Sequence, residues 1–345
     1  MSSPSETTYM ADPPAGVQRL NGDSIQANMA ACAITTALIA VAIVGLRLYT
    51  RFFLTVARFQ IDDAFVCCAA VCSIMLIPIS YEIMQAGVGL HMWDVTMAQY
   101  NPGLGIWTLV ATIFYAWAVI LSKLSILAFY LRLSPQLWFR ALTFMLMGIS
   151  ACYVLIYTFL FTFRCNPIPK NWDITITTGS CINTRTIMTV LSIANIAMDI
   201  ITLILPIPVI MRLNMRLAQR VSVVLIFSSG VFVCAIAIQR TVQMLSALES
   251  KDYTWDITEQ FYWSYIEVNA GILCASVPAL KPFAKRHLVS LFGSSQRYRL
   301  QYQDRNGAIG LGLGASGGQP GPGTEQETDA ILLRVTPKRG SYTRF

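Results

Sequence analysis

Long runs of apolar residues separated by short polar segments dominate the chain. A helix that crosses a bilayer needs about 20 mostly apolar residues. Runs of this length lie at about residues 27–48, 63–83, 104–130, 140–163, 185–211, 221–245 and 260–282. None of the connections between them has room for an inserted soluble domain of about 50 residues. The pattern therefore predicts an all-α, polytopic membrane protein built as a seven-transmembrane-helix bundle.

The composition agrees with a bilayer as the solvent. Hydrophobic residues make up 55% of the chain and charged residues 12%, whereas soluble domains carry about 25% charged residues. The formal charge of +7 does not indicate nucleic acid binding, because the basic residues lie between apolar runs and in the tail, without the interleaved aromatic residues of such surfaces. We expect membrane lipid as a partner and no nucleic acid.

Basic residues resist translocation and so indicate the orientation. Thirteen Lys and Arg residues of the short loops and of the beginning of the tail fall on the cytosolic side, and five on the other side, if the N-terminus is outside. We therefore expect the N-terminus outside and the C-terminus in the cytosol, at the plasma membrane or, alternatively, an endomembrane. The expected domains are a disordered extracellular segment at 1–26, the bundle at 27–283, and a basic, Gly/Pro-rich, disordered cytosolic tail at 284–345.

Two of the nine cysteines lie in a polar loop, in the sequence RCNPIPKNWDITITTGSCINT. Cys165 and Cys181 are expected on the oxidising side of the membrane, where a disulfide closing a loop of this size contributes about 3 kcal/mol in the chain-entropy model. The alternative is two free thiols at helix ends. The other cysteines lie inside apolar runs, where free cysteine behaves as a small hydrophobic residue.

The loop AGVGLHMWDVTMAQYNPG contains His91, Trp93 and Asp94 next to two glycines. These residues form either a polar, aromatic patch at the mouth of a pocket or a belt at the depth of the lipid headgroups, which tryptophan favours. We expect no metal site, because the other histidine, His287, is placed on the cytosolic side.

Ionisable residues inside the apolar runs carry the most chemical information. Burying one costs a few kcal/mol, so such residues usually face a cavity or a partner. A Glu267–Arg240 pair between the last two helices would neutralise both groups, and Asn195 shares a helix face with Asp199. Lys123 is expected to snorkel to the headgroups. Structural pairing and direct contact with a ligand, ion or substrate both stay open for this set, which comprises Glu82, Lys123, Asp199, Arg240 and Glu267.

Other positions are assigned structural roles. Asp62 and Asp63 begin the second helix, where anionic side chains favour the positive helix end, so we interpret them as caps. Pro206 and Pro208 remove backbone donors in the fifth run and are expected to kink it. Motifs of zinc proteases, phosphate loops, serine hydrolases and dinucleotide enzymes are missing. The seventh run has no lysine at mid-depth, so neither a retinal Schiff base nor another cofactor is expected.

The residues resemble the fungal rhodopsin-domain integral membrane proteins, a family that includes receptor-like proteins and proteins encoded in secondary-metabolite gene clusters. The resemblance implies a seven-helix fold without retinal and a pairing of Cys165 with Cys181. It rests on RLYTRFF at 47–53 followed by Asp62-Asp63, GVGLHMWD at 87–94, KLSILAFYLRL at 123–133, RCNPIPKNWD at 164–173 closed by Cys181-Ile182-Asn183, NIAMDIITLILPIPVI at 195–210, and IEVNAGILCASVPALKP at 266–282.

Three functions remain open. The first is a receptor-like sensor that signals to a cytosolic protein, with Arg132 either in the coupling surface or only a topology residue. Its unknown extracellular or lipid-phase ligand would contact His91, Trp93, Asp94, Arg240, Glu267 and Asn269. The alternative is a membrane-embedded isomerase or cyclase, or an accessory protein, of a mycotoxin or other secondary-metabolite gene cluster, with Glu82, Asp199 or Glu267 as proton donor. The third is a transporter.

Overall fold

The computed structural model describes residues 8–14, 16, 18–19, 22–54, 59–133, 135–211, 217–280 and 283. Each of the seven predicted runs forms a long helix in this part of the chain. The tail predicted at 284–345 lies outside the described residues. The helices are α1 (Gln26–Tyr49), α2 (Ile61–Gln85), α3 (Gly103–Leu133), α4 (Leu137–Thr162), α5 (Thr184–Ile204), α6 (Leu217–Glu249) and α7 (Tyr253–Ser276).

Short elements connect the long helices. A π-helical turn, Thr50–Leu54, continues α1. Two strands of two residues each, β1 (Cys165–Asn166) and β2 (Ser180–Cys181), pair in antiparallel fashion between α4 and α5. The remaining helical turns are Met97–Tyr100, Ile168–Asn171, Ile207–Met211 and Val277–Leu280.

Six of the helical segments are long and apolar enough to cross a membrane, which supports an all-α polytopic membrane fold. The helix α7 is not among them, because Asp256, Glu259 and Glu267 lower its hydropathy. It nevertheless buries 14 of its 24 residues and contacts α1, α2, α3 and α6. Glu267 therefore faces other helices, whereas Asp256 and Glu259 are exposed. The seven-span count and the orientation stay predictions.

The helices α3 and α7 meet inside the bundle. A Cβ atom at Gly271 of α7 would lie 2.8 Å from Ser122 Oγ of α3, so the small residue permits a close approach of the two backbones. Val66, Ile83 and Ile272 are fully buried in the largest apolar cluster. Large apolar side chains are also exposed on the outer faces of the helices, as lipid contact requires.

The ends and breaks of two helices agree with the sequence. Asp63 caps α2, since its Oδ2 accepts a hydrogen bond of 3.2 Å from the backbone N–H of Gln60. The helix α5 ends at Ile204, Pro206 lies in the following turn, and the chain becomes helical again at Ile207 with Pro208 in the first turn. The prolines thus interrupt the fifth run, because neither can donate a backbone hydrogen bond.

Part of the N-terminal segment contacts the loop between α2 and α3. Tyr9 forms an isolated bridge with Thr96, and the backbone N–H of Met10 donates to the carbonyl of Val95 at 3.0 Å. Arg19 lies over the ring of Tyr9. Composition alone did not indicate these contacts, because they are backbone hydrogen bonds between residues far apart in the chain.

Candidate functional site

One end of the bundle, which we call the loop end, carries the predicted cysteines. Cys165 and Cys181 form a disulfide and also face each other across β1 and β2, which confirms the predicted bridge. The turn before β2 requires glycine at 179, where φ is +84° and a Cβ atom would lie 2.1 Å from the carbonyl oxygen of Asn166. The Nζ of Lys170 donates to three consecutive carbonyls of residues 177–179, which holds the loop closed.

This disulfide loop is fastened to the segment that precedes α3. Asn101 Nδ2 donates to Asp173 Oδ1 at 3.1 Å, and the Asn101 side-chain oxygen accepts from the backbone N–H of Ile174. The hydroxyl of Thr175 also donates to Asp173. The hydrogen bonds from Thr175 and Asn101 stabilise the carboxylate and lower the pKa of Asp173.

His91 lies between two indole rings at the loop end. Its ring centroid is 4.3 Å from that of Trp93 and 4.0 Å from that of Trp255, with nearly parallel planes. Its Nδ1 is 2.6 Å from Asp252 Oδ2, and Asp252 also accepts from a backbone N–H of the same loop. The backbone N–H of Asp94 donates to the His91 carbonyl. This polar, aromatic cluster ties the α2–α3 loop to the start of α7.

Four of the five predicted intramembrane charges meet in the middle of the bundle. Lys123 of α3 pairs with Asp199 of α5 at 2.9 Å, and its Nζ donates to the side-chain oxygen of Asn195 at 2.8 Å. Lys123 is 5% exposed, so the prediction that it snorkels to the headgroups is wrong. The reason is that Asp199 and Asn195, on one helix face, offer acceptors within reach inside the bundle.

Glu267 of α7 forms the second ion pair in the middle of the bundle. Arg240 Nε of α6 lies 2.7 Å from Glu267 Oε2, which confirms the predicted pair. Tyr115 of α3 donates to Glu267 Oε2 at 2.7 Å, and Asn195 Nδ2 donates to Oε1 at 3.1 Å. Asn195 therefore connects the two ion pairs. We call the whole set the central network; its members are Tyr115, Lys123, Asn195, Asp199, Arg240 and Glu267.

The central network is buried and neutral. Its two cations and two anions are each less than 10% exposed, and the pairing offsets much of the cost of removing them from water. Within the part of the chain that the structure describes, Asp199 Oδ2 has no hydrogen-bond partner, whereas Arg240 Nε lies at ion-pair distance from Glu267 Oε2.

A cavity lies on each side of the central network. The loop-end cavity has a volume of about 50 Å³ and is bordered by Arg240 and a wall of aromatic residues, namely Tyr115, Tyr153, Tyr157, Phe261 and Tyr265. The second cavity, also of about 50 Å³, is bordered by Lys123, Asp199 and Glu267.

The opposite end of the bundle, which we call the aspartate end, holds a second charge cluster. Asp62 and Asp63 are fully buried. Arg47 contacts both at 2.6 and 2.8 Å, Arg51 contacts Asp62 at 2.9 Å, and Arg132 of α3 contacts Asp62 at 2.7 Å. The role of the two aspartates therefore extends beyond capping: they join α1, α2 and α3.

Two further candidate residues lie apart from the central network. Asn269 accepts from Ser73 Oγ at 2.7 Å and donates to Thr36 Oγ1 at 3.1 Å, so it links α7 to α2 and α1. Glu82 lies in the last turn of α2 and is partly buried. Within the described residues, no contact joins it to Asp199 or Glu267. His91, Trp93 and Asp94 border neither of the two cavities.

Sequence reasoning missed several partners. Tyr115, Asp252 and Trp255 carried no signal of their own, because each meets its partner only through the fold. The arginines near Asp62 do have a signal in the sequence. Arg47 and Arg51 are four residues apart on one helical face, and a short loop separates them from the aspartates. That spacing would have been enough to suggest an ion cluster.

Comparison with known proteins gives a family and three relatives. The model of the fungal rhodopsin domain matches residues 46–286. An SAT4 family membrane protein of Emericella nidulans is 33% identical over 209 residues, which are 59% of this chain and 52% of the relative. Receptor GIN3 of Arthrobotrys oligospora is 25% identical over 270 residues, 75% of this chain and 62% of the relative. The chain thus spans about half and about three fifths of these two proteins.

A third relative is the polyenoic acids biosynthesis gene cluster protein Ba17b of Metarhizium anisopliae, 26% identical over 271 residues, which are 72% of this chain and 71% of the relative. No solved structure matches the chain. The match of the family model covers most of the chain, including all helices from α2 to α7, both cavities and both charge clusters. The chain belongs to the fungal rhodopsin domain family.

Proposed function

We propose that this membrane protein is a receptor-like sensor whose small-molecule ligand occupies the loop-end cavity. The observation that carries the proposal is the border between this cavity and the central network, where Arg240 faces the cavity and pairs with Glu267. A relative carries the name of a receptor. The excess of basic residues in the loops at the aspartate end favours an external loop end, and the plasma membrane is the proposed location.

The central network offers a route from the cavity to the aspartate end. A ligand that displaces Arg240 removes the ion-pair partner of Glu267. Because Asn195 is hydrogen-bonded to both Glu267 and Lys123, a movement of Glu267 also affects Lys123 of α3. The same helix α3 ends at Arg132, which contacts Asp62. A ligand that binds better to one arrangement of these pairs shifts the population of the bundle towards that arrangement, and a cytosolic protein would read the shift.

A thermal-stability screen tests the cavity. The purified protein, in lipid nanodiscs, is heated with members of a small-molecule library. Compounds that bind the folded state raise the midpoint of unfolding. Thr112→Phe fills the cavity, because Thr112 borders it and is partly buried. Ala151→Phe is the matched control, since Ala151 is exposed on α4. We expect hits with the wild type and the control and none with Thr112→Phe; equal shifts in all three contradict the proposal.

A second candidate function is an enzyme or accessory role in secondary-metabolite biosynthesis. It is favoured by the name of the gene-cluster relative and by Asp199 Oδ2, which lacks a hydrogen-bond partner within the described residues and belongs to a residue that borders the second cavity. Against a proton-donor role, Asp199 and Glu267 are each paired with a cation. Accumulation of one unprocessed intermediate after gene deletion would support this role; unchanged metabolites would exclude it.

A further inference from the structure

The loop-end cavity is apolar and aromatic with one charged group. Among the described residues that border it, Arg240 is the one with a charged side chain. Ser192, Gln260 and Ser264 add polar atoms that carry no charge. A wall of this kind suits an apolar ligand body with a single group that a guanidinium recognises.

Arg240 has more N–H groups than the described hydrogen bonds use. A guanidinium has five N–H groups, and the described acceptors are few. Its Nη2 donates to Ser192 Oγ at a long 3.4 Å. Its Nε is 2.7 Å from Glu267 Oε2, yet the N–H is not aligned for a hydrogen bond. Among the described residues, Arg240 thus has one long hydrogen bond, to Ser192 Oγ, and one ion pair, with Glu267.

Glu267, by contrast, has other donors. It accepts from Tyr115 at 2.7 Å and from Asn195 at 3.1 Å, and both contacts are independent of Arg240. If Arg240 turns to a ligand, Glu267 keeps these two hydrogen bonds. A carboxyl group in this position can also hold a proton without losing both of its partners.

We propose that the ligand of the loop-end cavity is a carboxylic acid with an apolar body, and that its carboxylate pairs with Arg240. This inference rests on the sensor function proposed above and specifies its ligand class. Arginine and carboxylate match in geometry and can form two parallel N–H···O bonds. The aromatic wall contacts the apolar body of the acid.

The charge balance of the buried network sets the protonation state. An added anion would leave the central network with two cations and three anions. A carboxylic acid that enters in its neutral form avoids this, because its proton passes from the ligand carboxyl to Glu267. The ligand carboxylate then pairs with Arg240, neutral Glu267 stays hydrogen-bonded to Asn195, and the network remains neutral.

This exchange predicts opposite effects for two variants. Glu267→Gln mimics the protonated carboxyl and leaves Arg240 without its anion, so it is expected to bind acids more tightly than the wild type. The double variant Arg240→Gln/Glu267→Gln removes both charges, which keeps the bundle neutral, and is expected to lose the preference for acids. Arg185→Gln is the control, since Arg185 is 55% exposed and pairs with Glu249.

The probes are medium-chain aliphatic acids and aryl-propenoic acids, each with its primary amide as an uncharged match. Binding is measured by equilibrium dialysis with protein in phosphatidylcholine nanodiscs. At least one acid should bind about tenfold or more tightly than its amide, with the wild type and Arg185→Gln alike. The preference should vanish in the double variant.

The other outcomes distinguish failure of the proposed ligand class from failure of the sensor function. Equal binding of acids and amides, both abolished by Thr112→Phe, overturns the carboxylate and leaves the sensor function intact. The same holds if the acids fail while library compounds bind in the cavity. Loss of acid binding in Glu267→Gln, in protein that still unfolds cooperatively on heating, overturns the proton exchange and the pairing. Failure of both the acids and the library overturns the ligand class together with the sensor function.

Discussion

Single residues decide whether the central network is stable. Lys123 and Asp199 are each more than 90% buried, and a charge at this depth is tolerated because its partner compensates it. Removing one partner of a buried pair costs more than replacing both by apolar residues. Substitutions at this pair therefore measure how much the central network contributes to the stability of the protein.

For this pair, we expect Lys123→Met to lower the free energy of unfolding by about 3–5 kcal/mol, because Asp199 is left as an unpaired buried charge. Lys123→Met/Asp199→Leu should return most of that loss. Arg140→Met, at an exposed position of α4, is the control. Unfolding in mixed detergent micelles measures the stability of all three variants. If the double variant is no more stable than Lys123→Met, the unpaired charge of Asp199 is not the cause of the loss.

Two arginines of the aspartate end differ sharply in burial, although both contact Asp62. Arg47 is 1% exposed and Arg132 is 37% exposed. We expect Arg47→Gln to destabilise the protein by about 3–5 kcal/mol and Arg132→Gln by about 1 kcal/mol or less, because solvent screens the exposed contact. Thermal unfolding of the two variants provides the comparison. Equal losses would mean that burial does not govern these contacts.

At the scale of elements, the end of α3 is held to α2 by a contact that can open without unfolding the bundle. Arg132 is partly exposed, whereas Arg47 and Arg51 still neutralise Asp62 when Arg132 leaves. This asymmetry makes the end of α3 a suitable place for a ligand-dependent movement. A coupling role for Arg132 thus remains a proposal with a defined partner, Asp62.

The disulfide loop is a second element with a measurable contribution. Cys165→Ser/Cys181→Ser is expected to lower the free energy of unfolding by about 3 kcal/mol. Without the disulfide, the unfolded chain regains the conformational entropy that the closed loop had restricted. Lys170 and Asn101 should still hold part of the loop in place. Limited proteolysis between residues 166 and 180, compared with thermal unfolding, separates local opening from global loss; an unchanged unfolding midpoint would contradict the expectation.

At the scale of the whole molecule, α7 decides where the C-terminus lies. If α7 crosses the membrane together with the six apolar segments, the two termini are on opposite sides; if it does not, they are on the same side. We expect seven crossings, because α7 packs against α1, α2, α3 and α6 along its length.

A pair of epitope tags tests this topology. We expect a tag before Met1 to be labelled on intact cells, and a tag after Phe345 only after permeabilisation, because the basic loops favour the cytosol. A glycosylation acceptor placed in the disulfide loop is the control for the side of the loop end. Labelling of both tags without permeabilisation would overturn the seven-crossing arrangement.

Much of the fold could be predicted because apolar runs of this length have one stable environment. In lipid, every backbone polar group must be satisfied within its own segment, so such runs form helices. The bridge between Cys165 and Cys181 and the pair of Arg240 with Glu267 were predictable for a related reason: each group needs a partner, and few candidates lie within reach.

The pattern of apolar and polar residues was enough to predict the helices and their order. It did not determine how each helix is rotated, because residues that face lipid and residues that face the core are both apolar, so no polar face marks the outside. The packed structure was needed to show that Lys123 turns inward to Asp199, that Asp252 pairs with His91, and that two cavities border the central network. These contacts join residues far apart in the chain, and the packing of whole helices brings them together.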